Sequence, residues 1–216
     1  MIVADKFRAA GLSIILSWGW KRAAIALAAG ALSALAMAPF NAWPVLFLTF
    51  PVMVWLVDGA GAGRMRGLPA AAMAGWWFGL GYFVPGLYWI GYAFLVDAPT
   101  FAWLLPFAIL GLPAYLALFT AIGFALARLI WTSDASRVLA LAVCLTLSEW
   151  LRGHVLTGFP WNAFGYALTE PLLRLVRNVL PPMGGVDLSP LLALIALQFA
   201  KMVILPPLQQ LIVMLN

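Results

Sequence analysis

The feature that most constrains this chain is a series of apolar stretches separated by few charged residues. A transmembrane α-helix needs about 20 apolar residues to cross roughly 30 Å of hydrocarbon, and it satisfies all its backbone hydrogen bonds internally. The candidate spans are Ala23 to Phe40, Trp43 to Val57, Leu68 to Phe94, Phe101 to Trp131, Val138 to Leu151 and Leu188 to Leu215. The chain is therefore predicted to be all-α, a polytopic transmembrane helix bundle of about six spans. The fourth run is longer than one straight crossing needs, and we expect tilt, or a bend near Pro106 and Pro113, to absorb the excess.

Composition supports this class of protein. Only 9% of the residues are charged and 65% are hydrophobic, with a mean hydropathy of +1.03. Soluble domains carry about 25% charged residues, so the charges here are too sparse to cover a soluble surface. We therefore interpret the chain as an integral membrane protein.

The basic residues predict the orientation, because Lys and Arg near helix ends are retained on the cytoplasmic side. A cytoplasmic N-terminus leaves three basic residues outside, Arg152, Arg174 and Arg177. It puts eight inside, namely Lys6, Arg8, Lys21, Arg22, Arg64, Arg66, Arg128 and Arg137. We also expect an uncleaved first helix. The net charge of +5 fits contact with anionic lipid headgroups, and the dispersed basic residues do not indicate a nucleic-acid partner.

Metal, cofactor and thiol chemistry are not indicated. Cys144 is the one cysteine and lies inside the fifth apolar run, where we predict a buried and inert thiol. A single histidine and scattered carboxylates provide no spaced ligand set for a metal. No cofactor motif is present, so we expect neither a metal nor a cofactor.

The most distinctive polar group lies in "SEWLRGHVLTGFPWNAFGYAL", residues 148–168. Glu149 and Arg152 share a helix face at a spacing of three residues. One interpretation is an interfacial ion pair that closes a helix end, with Trp150 and Trp161 as interface anchors. The other is a substrate path, since ionisable residues at membrane depth are costly. His154 fits a proton carrier or a structural residue, and we favour the structural role.

The stretch "GWWFGLGYFVPGLYWIGYAF", residues 75–94, leaves a similar choice. Gly75 and Gly79 have the spacing of small residues that lets helices approach closely. The aromatic residues exceed what two membrane-interface belts require, so some of them are candidates for lining a groove for acyl chains.

Residues 20–168 resemble the membrane portion of bacterial apolipoprotein N-acyltransferase. The stretches that carry the resemblance are the two quoted above, residues 75–94 and 148–168, and "LAMAPFNAWPVLFL" at 35–48. The resemblance implies a multi-pass protein of the bacterial inner membrane that moves an acyl chain from phospholipid to the amino-terminal cysteine of a lipoprotein. The candidate lipid- or substrate-facing residues are Trp76, Trp77, Tyr88, Trp89, Glu149, Arg152, His154, Phe159, Pro160, Trp161 and Tyr166.

In that family the reaction belongs to a nitrilase-like domain with a Glu-Lys-Cys triad. The 48 residues after Leu168 are too few for it, and Cys144 lies inside a span, so we expect no catalytic residue here. Residues 169–199 instead resemble the small YggT membrane family through "LPPMGGVDLSP". We therefore predict two domains, 1–168 and 169–216. In the second, an interfacial helix with Arg174 and Arg177 leads to a last span, capped by Asp187 or Ser189.

Two functional hypotheses follow. The first is an acyltransferase-like membrane protein that binds phospholipid or lipoprotein acyl chains and is inactive alone or completed by another chain. The second is a structural or accessory subunit of a larger membrane complex, with other membrane proteins as its partners.

Overall fold

The computed structural model describes residues 2–61, 63–155, 158, 159, 161–167, 169 and 173. Within these residues the chain is helical and forms no strand, which confirms the predicted class. The α-helices are α1 (Ile2–Ile15), α2 (Gly19–Ala34), α3 (Leu46–Asp58), α4 (Arg64–Leu87), α5 (Ala98–Phe101), α6 (Leu112–Leu129) and α7 (Ser136–His154).

The chain divides into two compact units, Met1–Ala163 and Phe164–Asn216. The predicted domain boundary after Leu168 stays a prediction. The predicted sixth span lies outside the described residues. The same holds for the four side chains expected in the segment before it, Arg174, Arg177, Asp187 and Ser189.

The first predicted run extends too far. Helix α2 ends at Ala34, six residues before Phe40. The amides of Leu35, Ala36 and Met37 donate to carbonyls three residues earlier, at 3.0 to 3.1 Å. This tighter bonding pattern ends the α-helix, and residues 35–40 form turns and a bend instead.

The fourth predicted run is not one regular α-helix. It begins with the short helix α5 and a single 3₁₀ turn, Ala102–Leu104. A π-turn at Phe107–Gly111 then separates Pro106 from Pro113, which lies in the first turn of α6. Proline lacks an amide hydrogen and therefore interrupts a regular helical ladder. The third run also changes form, because α4 continues beyond Leu87 as a 3₁₀ helix, Tyr88–Leu95.

Glycines let α4 pack closely between α2 and α6. A Cβ added at Gly30 of α2 would meet the Phe78 carbonyl oxygen and, at 2.8 Å, the Tyr82 nitrogen of α4. On the other side of α4, a Cβ at Gly75 would lie 2.8 Å from Phe124, and one at Gly79 would lie 2.9 Å from Ala117. The predicted use of Gly75 and Gly79 for close helix approach is confirmed.

Among the residues that the structure describes, two helical stretches are long and apolar enough to cross a membrane, Met65–Leu95 and Ala98–Leu129. Apolar side chains are also widely exposed elsewhere, for example Leu139, Val143 and Leu147 along α7. Helix α7 is about 28 Å long at 1.5 Å per residue, close to the thickness of a bilayer core. The full bundle of about six spans stays a prediction.

Basic residues meet at one end of the bundle, which we call the basic end. Arg22, at the start of α2, donates to the Leu56 carbonyl. Arg128, at the end of α6, donates to the Val57 carbonyl at 3.3 Å and to the carbonyls of Gly61 and Gly63. These cations therefore satisfy carbonyls at and after the C-terminus of α3, where a helix leaves its acceptors unpaired.

A carboxylate completes the basic end. Arg137, at the start of α7, forms an ion pair with Asp58 at 3.1 Å, and the Trp131 indole donates to the same oxygen at 2.9 Å. Arg152 lies 15 residues further along α7, about 22 Å away along the helix axis. The candidate site and the basic end thus lie at opposite ends of the bundle.

Candidate lipid-binding site at the end of the bundle

Arg152 is the centre of the polar group that the sequence singled out. Its side chain is only 2% exposed, and it lies in the last turn of α7. The guanidinium donates to the main-chain carbonyls of Trp161, at 2.7 Å, and Asn162, at 3.5 Å. Its central carbon lies 4.9 Å from the ring centroid of Phe83 on α4. Arg152 therefore joins α7, the turn that follows it and α4.

Asn162 makes the second set of contacts with α4. Its side-chain amide donates to the Gly86 carbonyl at 3.2 Å, and its own carbonyl accepts a 3.0 Å bond from the Tyr82 hydroxyl. The backbone of Asn162 has φ of +54°, a left-handed conformation that asparagine tolerates better than most residues. A Cβ at Gly86 would clash with the Asn162 amide. We call Tyr82, Phe83, Gly86, Arg152 and Asn162 the Arg152 cluster.

The turn between α7 and Asn162 is shaped by hydrogen bonds to the helix end. The Phe159 amide donates to the Arg152 carbonyl at 2.9 Å, and the Gly158 amide donates to the Val155 carbonyl at 3.0 Å. Gly158 has φ of +73°, and an added Cβ would meet the Gly153 carbonyl oxygen, so this position requires glycine. Phe159 is half-buried, and the neighbouring Pro160 lies outside the described residues.

Glu149 and His154 lie on either side of Arg152 along α7. Glu149 is half-buried. His154 is exposed, its Nδ1 donates to the Trp150 carbonyl at 2.7 Å, and its ring stacks on Trp150 at 4.5 Å. The structural role that we favour for His154 stays a prediction.

An exposed aromatic surface begins directly after Gly86. The 3₁₀ helix Tyr88–Leu95 packs against the π-turn Phe107–Gly111. Tyr88 and Tyr92 both lie in the 3₁₀ helix, and their rings are 6.2 Å apart. Trp103 lies in the turn Ala102–Leu104, and its ring is 6.5 Å from that of Phe107. We define the aromatic surface as five residues that are each at least half exposed: Tyr88, Trp89, Tyr92, Trp103 and Phe107.

The predicted site residues Trp76 and Trp77 lie elsewhere. Both are half-buried, and their rings meet edge to face at 5.0 Å. The Trp76 indole donates to the Ala114 carbonyl of α6 at 3.1 Å. They precede Leu87 by ten or more residues, about 15 Å along α4. The structure therefore separates this tryptophan pair from Tyr88 and Trp89, although the sequence grouped all four.

Trp161 and Tyr166 are both exposed. Trp161 adjoins the Arg152 cluster through its main chain and leaves its ring 60% exposed. Tyr166 belongs to the second compact unit, where the Thr169 hydroxyl donates to the Gly165 carbonyl at 2.9 Å. Cys144 is buried in α7, as predicted.

Sequence reasoning missed Asn162 and did not connect Tyr82 with Arg152. The signal for Asn162 was its position between a Gly-Phe-Pro-Trp turn and the next apolar run, where left-handed backbone is common. No periodicity could have indicated Tyr82, because its partner lies 80 residues away.

These features define an all-helical protein with helices apolar enough for a membrane, a cationic end and an aromatic surface at the other end. The chain belongs to the family of the apolipoprotein N-acyltransferase N-terminal domain, whose model matches residues 29–198. The match includes α3 to α7, the aromatic surface and the Arg152 cluster. It also includes most of residues 169–199, for which the resemblance to the YggT family stays a prediction.

Similar proteins carry the same family name. The chain is 81% identical over 160 residues to the apolipoprotein N-acyltransferase of Rhodopseudomonas palustris, covering 74% of this chain and 30% of the relative. It is 74% identical over 172 residues to that of Bradyrhizobium diazoefficiens, covering 80% and 32%. For Brucella suis the identity is 54% over 171 residues, covering 77% and 32%. The chain thus spans about a third of the length of these curated relatives.

Proposed function

We propose that this chain binds the acyl chains of a phospholipid at the aromatic surface, as the membrane portion of an apolipoprotein N-acyltransferase system. The reaction it serves is the transfer of an acyl chain from phospholipid to a lipoprotein. The observation that carries this proposal is the exposed aromatic surface directly after the apolar helix α4. Contiguous exposed apolar surface of this kind indicates a binding site or a membrane contact.

The composition of the aromatic surface suits a lipid at the membrane boundary. Tyrosine and tryptophan combine an apolar ring with one polar group, so they favour the level of the headgroups. Acyl chains can pack against the rings while the indole and phenol groups contact the glycerol and phosphate region. The buried Arg152 guanidinium already donates to the main-chain carbonyls of Trp161 and Asn162. The role we propose for Arg152 is therefore to position the 158–162 turn.

We propose that the protein lies in the inner membrane of a bacterium. In the proposed orientation the basic end faces the cytoplasm and the aromatic surface faces the outside. The support is the gathering of Arg22, Arg128 and Arg137 at one end of the bundle. Basic residues at helix ends are retained on the cytoplasmic side. A substrate lipid would then be received from the outer leaflet.

Lipid retention tests this function. We expect the full chain, purified in mild detergent, to retain phospholipid that native mass spectrometry detects. The double variant Tyr88→Ala/Trp89→Ala should retain several-fold less, because it removes two rings of the surface. The control is Leu139→Ala/Val143→Ala, two exposed apolar residues on α7. Equal retention by both variants, at unchanged thermal midpoints, would contradict the proposal.

The hypothesis of an accessory subunit stays a prediction. Its test is purification of the full chain in mild detergent, with the stoichiometry of any co-purified protein measured. Stoichiometric partners would support it, and a folded monomer that retains lipid would favour the binding function instead.

A further inference from the structure

Helix α1 lies outside the part of the chain that the family model matches, which begins at residue 29. It is a separate helix, Ile2–Ile15, and not the first half of a longer span. The break at Leu16–Trp18 is followed by Gly19, the first residue of α2, whose φ of +57° turns the chain.

One face of α1 packs on the bundle. The Phe7 ring lies 4.8 Å from that of Trp55 on α3, and a Cβ added to the buried Gly11 would meet the same indole at 2.9 Å. The main chain at Ile15 lies against Gly59, directly after α3. Gly59 also lies beside the Arg22 guanidinium. Helix α1 is thus attached at the basic end.

The side of α1 that points away from the bundle is exposed and carries Leu12 and Leu16 together with Asp5, which lies seven residues before Leu12 on the same face. Leu12 and Leu16 are one turn apart, and Leu16 is 75% exposed. The chain that follows presents two more exposed apolar residues, Trp18 at 82% and Trp20 at 76%. At 3.6 residues per turn, Lys6 and Arg8 flank the leucine face on opposite sides. This pattern is typical of a helix that lies in the plane of a membrane surface.

Charge adds a preference for anionic lipid. Lys6, Arg8 and Lys21 are exposed, against the single acidic side chain Asp5 within residues 5–21. Each lysine or arginine near an anionic surface contributes favourably to binding. Helix α1 has 14 residues, about 21 Å, which is too short to cross the hydrocarbon, and three of its exposed side chains are charged.

We propose that α1, with Leu16, Trp18 and Trp20, is an interfacial anchor that binds anionic phospholipid headgroups at the basic end of the bundle. Leu12, Leu16 and the two tryptophans insert at the boundary of the acyl region, while the cations contact phosphate groups. This anchor does not depend on acyl-chain binding at the aromatic surface, which lies at the opposite end of the bundle.

An environment-sensitive fluorophore tests the anchor. The full chain carries Cys144→Ser, and the probe is attached through Leu16→Cys. The protein is placed in nanodiscs of phosphatidylcholine alone, or of phosphatidylcholine and phosphatidylglycerol in equal parts. We expect a blue-shifted emission in the anionic discs that high salt reverses, because salt screens exposed charges.

Charge variants complete the test. The variant Lys6→Gln/Arg8→Gln/Lys21→Gln should lose the dependence on lipid charge, whereas Lys6→Arg/Lys21→Arg should keep it. A second probe at Leu139→Cys, on α7, should give the same emission in both lipids. If the emission of the Leu16→Cys probe is the same in both lipid compositions, the proposal is overturned. This holds whether the emission wavelength indicates an aqueous or a hydrocarbon environment. A charge-neutral variant that folds and keeps the shift would also overturn it.

Discussion

The guanidinium of Arg152 donates a 2.7 Å hydrogen bond to the main-chain carbonyl of Trp161, and this bond ties the end of α7 to the turn nine residues later. The arginine carries its charge in a nearly fully buried position and contacts a second carbonyl and the Phe83 ring. Much of the local order at this end of the bundle therefore depends on one side chain.

Replacing Arg152 should loosen the 158–162 turn. We expect Arg152→Met to lower the free energy of unfolding by about 2–3 kcal/mol, because charge-assisted hydrogen bonds are lost and the Trp161 carbonyl loses its donor, whereas the Asn162 carbonyl keeps its bond from the Tyr82 hydroxyl. Hydrogen exchange should show faster exchange of the Phe159 amide. Leu147→Ala, at an exposed position on the same helix, is the control. Unchanged exchange at Phe159 would show that Arg152 does not position the turn.

Asn162 contributes through both its conformation and its side chain. Asn162→Gly keeps the left-handed backbone and loses the bond to Gly86, whereas Asn162→Ala also adds strain. We therefore expect Asn162→Ala to be the less stable of the two, by about 1 kcal/mol. Thermal unfolding in detergent measures the difference. Equal midpoints for the two variants would mean that the backbone conformation carries no cost.

Close packing of α2 on α4 requires glycine at position 30. We expect Gly30→Ala to destabilise the protein by about 1–3 kcal/mol, because the new methyl group would meet the backbone of α4. Gly111→Ala is the matched control, since its nearest neighbour beyond the helix backbone would be the Phe107 Cβ at 4.0 Å. Denaturation in mixed detergent compares the two. A neutral Gly30→Ala would contradict the observed helix contact.

The carbonyls at the end of α3 depend on Arg128. Arg128→Gln should cost about 2–3 kcal/mol through the loss of donors to Val57, Gly61 and Gly63. Arg66→Gln, at an exposed position, should change stability little. The prediction fails if the two variants unfold at the same denaturant concentration.

The sequence was sufficient to predict the helical class and the glycine contacts of α4, and Pro106 and Pro113 flank the place where the regular helix is interrupted. These features follow from local rules, namely apolar length, proline chemistry and residue size. The Arg152 cluster could not be predicted, because the Asn162 contacts with Tyr82 and Gly86 join residues 76 to 80 positions apart. The predicted helix ends were also wrong, because the length of an apolar run does not indicate where α-helical hydrogen bonding changes to 3₁₀ turns.

The grouping of Trp76 and Trp77 with Tyr88 and Trp89 had a similar cause. All four lie in one aromatic stretch, but the helix places the two pairs about 15 Å or more apart along its axis. One pair therefore packs toward α6 and the other joins an exposed surface.

The central claim is that phospholipid acyl chains bind at the aromatic surface, and photo-crosslinking tests it most directly. The full chain in nanodiscs is exposed to a phospholipid with a photoactivatable group at the end of one acyl chain, and the modified peptides are mapped. We predict crosslinks concentrated in residues 88–107, and fewer for Tyr88→Ala/Trp89→Ala. Crosslinks spread evenly over the exposed apolar residues of α7 and the aromatic surface would contradict the claim.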